Sequence, residues 1–166
     1  MQPIYTQTVG AGGAASITFN NIPQTFTDLK IVISGRSARS AQQADNLFIT
    51  FNGVTTNFSA TALLGNGSSA SSSRFASRYA SLAVDAAGST ASTFSSHDIY
   101  IPNYTGSNFK SFIADSVSET NATNAQSDLF AGLWSNTAAI TSISLLPEVS
   151  TWVQYTTISL YGITKG

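Results

Sequence analysis

The chain has 166 residues, no cysteine, only 9% charged residues and a formal net charge of −1. That length suits a single domain with a core of its own. The missing cysteine excludes disulfides, thiolate chemistry and cysteine-bound zinc, and the near-neutral balance leaves no electrostatic footprint for nucleic acid. The first residues show neither a basic start nor an apolar run, and no apolar stretch approaches a membrane span, so a soluble protein without a signal peptide or membrane partner is expected. Although rich in Ser and Thr, the chain is 42% hydrophobic, too apolar for a disordered tract. A hydroxyl-coated, charge-poor surface favours association.

In chain order, residues 3–9 (PIYTQTV) alternate as a strand, or else form an N-terminal arm over residues 1–9 that reaches a neighbour. GAGGAA then turns the chain into SITF, residues 16–19. Its glycines are not a phosphate cradle, because a strand follows where a nucleotide loop needs a helix. After a loop with Pro23, Leu29, Ile31 and Ile33 share one strand face, and Leu47, Ile49 and Phe51 share another. Asn52-Gly53 predicts a type I′ hairpin with residues 54–58 as the returning strand. GNGSSASSS, ending at Ser73, reads as a surface loop. RFASRYASLAV, residues 74–84, fits a helical stripe and a strand alike, and its surroundings favour strand. FSSHDIYIPNY is a strand ended by Pro102, the chain returns through Phe109 or Phe112 and Ile113, and DLFAGLW follows at residues 128–134. Finally Ile143 and Leu145, then Ile158 and Leu160, mark two strands separated by Pro147-Glu148. About ten short strands with regularly spaced turns predict an all-β fold: one domain over residues 1–166, a jelly-roll-like two-sheet β-sandwich.

Three stretches carry a family likeness: LKIVISGRSAR followed by FITFNG, HDIYIPNYTGSNFKSFIAD, and WSNTAAITSISL with the closing TISLYGI. Together they span most of residues 28–163 and resemble small jelly-roll virion structural proteins of tailed phages, the capsid decoration (cement) proteins and related tail proteins. The resemblance implies a non-enzymatic protein of the virion that lies on the capsid surface, clamps neighbouring major-capsid subunits and forms a homotrimer. The alternative setting is the tail, as a fibre or baseplate head domain binding host-surface glycans.

Little in the sequence suggests catalysis or a cofactor. His97, the single histidine, lies between Ser96 and Asp98, but neighbours on a strand point to opposite faces and cannot meet as a triad. The G-x-S-x-G elbow is absent, and the eight carboxylates avoid calcium-loop spacing. Four sequons occur at a frequency that this much Ser and Thr explains. Candidate contacts are therefore Arg36, Arg39, Arg74 and Arg78, four of the seven basic residues, as anchors for an acidic neighbour. Trp152 joins them, because a large aromatic in the crossover after Pro147 needs a cover. Trp134 is expected in the core. Trp134, Trp152, Tyr100 and Tyr104 form the aromatic set that a sugar could stack on.

Overall fold

The computed structural model describes residues 1–76, 82–120 and 125–165. Alternation sorts their side chains strand by strand, and none of them is helical. Twelve strands follow one another: β1 (Gln2–Thr8), β2 (Ile17–Phe19), β3 (Asp28–Gly35), β4 (Ala44–Phe51), β5 (Phe58–Gly65), β6 (Ala70–Phe75), β7 (Leu82–Asp85), β8 (Ser95–Ile101), β9 (Lys110–Ser118), β10 (Gln126–Trp134), β11 (Ile143–Pro147) and β12 (Thr157–Ile163). In β12, Ile158 and Leu160 are buried, whereas Thr157, Ser159 and Tyr161 face outward. β3 does the same with Leu29, Ile31 and Ile33 inside and Val32 and Ser34 outside. This is the period-two signature of sheets solvated on one side.

The strands form an antiparallel eight-stranded sheet, β1-β12-β3-β8-β9-β10-β5-β6, and a four-stranded one, β2-β11-β4-β7. With β5, β6, β9 and β10 set aside, the remaining eight strands run β1-β12-β3-β8 over β2-β11-β4-β7, the interleaved wiring of a jelly roll. The two hairpins β5–β6 and β9–β10 are additions that pair with each other and double the width of one sheet. An aromatic cluster holds this extension over the small sheet. Phe51 of β4 meets Phe58, Phe112 and Trp134 at ring centroid distances of 5.6, 5.6 and 5.5 Å. Gly132 lies under the Phe112 ring, in space that a Cβ would occupy.

Within residues 1–9, β1 (Gln2–Thr8) pairs with β12 of its own chain. Asn52 and Gly53 both take positive φ, 53° and 71°, and Val54 N–H donates to Phe51 O, so the tight turn forms. The predicted hairpin does not. Val54 makes only an isolated bridge to Phe51, and β4 is paired on one side with β11 and on the other with β7. With both edges of β4 taken, the chain passes on to the other sheet, where β5 joins β10. The serine run is not a loop either: Ala70–Phe75 is β6, fully paired with β5, while Asn66 Oδ1 accepts Ser68 N–H and Ser69 N–H in the turn between them. Of the ambiguous 74–84 stretch, both ends are strand, and residues 77–81 lie outside the described residues.

Candidate interaction surface

The basic residues singled out in the sequence are not gathered into one patch. Arg36 turns inward over the loop after β7: Nη1 donates to Thr90 O (2.9 Å) and Thr93 O (2.8 Å), and Nη2 to Ser89 O (3.1 Å). Four donors fixed in a plane suit that loop of carbonyls, and the side chain clamps it. Arg39 lies 3.5 Å from buried Asp45, which also accepts from Ser37 Oγ at 2.7 Å. Arg74 is exposed on the outer face of β6. Arg78 lies outside the described residues.

Trp152 is a correction. It is fully buried, donates from Nε1 to Leu145 O at 3.1 Å, and lays its ring over Gly35. The crossover folds back, and Ala14 and Ser37 bridge to Trp152 on either side, so this chain covers its own aromatic. The exposed aromatic of the crossover is Tyr155, 68% accessible with φ at 73°, accompanied by Val149. No composition signal separates the two, since both are aromatics in the same polar segment. Trp134 and Tyr104 are buried as well, and half-buried Tyr100 donates to Asp28 at 2.6 Å, so the four aromatics do not form one surface set.

His97 is buried on the inner face of β8, and burial drives its imidazole down to about 3. Ser95 Oγ lies 2.9 Å from Nε2, yet Ser95 donates its proton to Gly35 O at 2.8 Å. Nε2–H must therefore donate to Ser95, and Nδ1 is left without a partner. The proton sits on the wrong nitrogen to activate the hydroxyl, and both groups are closed to substrate. Other buried polar groups pair locally: Asp128 accepts from Ser116 Oγ, Ala83 N–H and Gln126, and Asp85 from Ser118 Oγ. Lys110, lowered by burial, holds Gly106 O and Asn108 O. Among the described residues, no three His, Asp or Glu side chains are placed to hold a metal ion.

The wide sheet also turns apolar side chains outward. On the outer face of β5, β9 and β10, Leu63 (56%), Leu129 (50%), Ile113 (51%) and Val117 (47%) stand exposed. Sequence reading identifies β9 and β10 but neither β5 nor this patch, because its residues meet only across three strands. Shallow depressions on either side of it are lined by Arg74 and Thr61, and by Asp115 and Ser71.

The sequence matches no protein-family model and no curated protein.

Proposed function

We propose that the chain is a non-enzymatic structural protein of a phage virion, a capsid decoration (cement) protein that clamps neighbouring major-capsid subunits. One observation carries this reading: apolar side chains are turned outward on the wide sheet and at Val149 and Tyr155, while Arg36, His97 and Asp128 spend their polar groups on neighbours within the fold. A monomer that displays apolar area in this way is built for protein contact. A rigid sandwich bridging adjacent shell subunits adds buried surface and opposes the outward pressure of packaged genome. The resemblance of most of residues 28–163 to small virion proteins of tailed phages, decoration and tail proteins alike, supports a virion setting. The tail-glycan alternative keeps less support, because three of its four stacking aromatics are buried.

The deciding measurement is the copy number of the chain in purified virions, relative to the major shell protein. A ratio near parity is expected. A handful of copies per particle overturns the shell assignment and moves the protein to the tail.

A further inference from the structure

The ladder registers arrange the outer face of the sheet extension as a grid. One row reads Arg74, Thr61, Ala131, Ile113, and the next reads Ser72, Leu63, Leu129, Asp115. Two charges border the apolar centre, Arg74 on β6 and Asp115 on β9. Among the described residues they are the only charged side chains without a partner. Lys30 pairs with Asp98 at 2.7 Å, Arg39 with Asp45, and Lys165 with Asp28 at 3.8 Å. Arg36 and Lys110 hold carbonyls, and the other acids are engaged. Asp115 is moreover directly opposite Asp98, a like-charge pair that Lys30 relieves on one side only.

We propose that this face is the interface of a twofold homodimer, with a second copy of the chain as its occupant. An axis lying in the interface, parallel to the strands and between β5 and β10, exchanges β5 with β10 and β6 with β9. Leu63 of one copy then meets Leu129 of the other, and Arg74 of one copy comes opposite Ile113 and one row from Asp115. That row is about 7 Å along the strand, within reach of an arginine side chain. Both contacts occur twice, as an isologous interface requires. The unmatched cation and the unmatched anion thus satisfy each other across the axis, around an apolar centre. Four strands and four rows of this outer face make a patch about 20 Å on a side, about 400 Å² per copy and in the range of weak, transient contacts, so assembly depends on concentration. The inference extends the contact reading above but stands on the isolated chain. A failed dimer leaves the shell assignment untouched, and a low virion copy number leaves the dimer untouched.

The test is sedimentation equilibrium of the full chain over a wide concentration range. The mean mass is expected to climb from 17.4 kDa towards twice that value. Leu129→Arg should hold the protein monomeric. Arg74→Asp and Asp115→Arg should each weaken association about tenfold or more, and the double variant should recover to within about threefold of the parent. That recovery separates a lost contact from a lost fold. A mass that never rises overturns the proposal, as does association indifferent to the single variants or a double variant that stays weak. A mass that triples overturns the twofold in favour of the homotrimer implied by the family resemblance.

Discussion

His97 occupies an inner position of β8, with Ile33 opposite it on β3 and Ser116 opposite it on β9. Nothing acidic offsets the burial of its ring, so its folded value is depressed to about 3 from 6.5. The sign follows from linkage. Below pH 6.5 the unfolded chain binds a proton that the folded chain refuses, so stability is full above about pH 6.5 and falls by about 1 kcal/mol per pH unit beneath it. Urea midpoints should therefore be level above about pH 6.5 and decline from there towards about pH 4.5, and His97→Leu should remove most of that decline. An unchanged slope in the variant would show that His97 does not set the acid sensitivity. The residue type was plain in the sequence. Its burial was not, since it depends on β3 and β9 arriving on either side.

At the scale of elements, Asn52 shows how a local signal and a distant one combine. Its positive φ is a property of the Asn-Gly pair, but its side chain serves another segment: Oδ1 accepts Thr141 N–H (2.8 Å) and Ser142 N–H (3.1 Å), and Nδ2 donates to Ala139 O (2.8 Å). The turn is tied to the lead-in of β11, which is why the chain does not return beside β4. Asn52→Gly keeps the backbone conformation and loses those bonds, for an expected cost of about 1–3 kcal/mol. Asn52→Ala loses both and should cost about 1 kcal/mol more. Denaturant midpoints of the two variants separate the contributions, and equal midpoints would show that the turn carries no strain. The serine run teaches the converse. Its polarity describes an edge strand whose side chains face solvent as well as it describes a loop, and only pairing with β5 distinguishes them.

Across the whole molecule, the crossover between β11 and β12 closes the sandwich by placing Trp152 in the core. Trp152→Ala is expected to destabilise the fold by about 3–5 kcal/mol, as large-to-small core substitutions do. Iodide should leave the fluorescence of both tryptophans unquenched until the protein unfolds. Ready quenching of one of them in the native state would return Trp152 to the surface. By itself the sequence determined the all-β class, the faces of β3, β4, β8, β11 and β12, the Asn-Gly turn and the burial of Trp134, because side-chain alternation and positive φ belong to short stretches of chain. The tertiary structure alone decided which strands are neighbours, that β5, β6, β9 and β10 widen one sheet, that Trp152 is inside and Tyr155 outside, and that Arg74 and Asp115 border one apolar face. Those are relations between residues far apart in sequence. Alternation tells a strand which side faces the core but says nothing about which strand lies beside it.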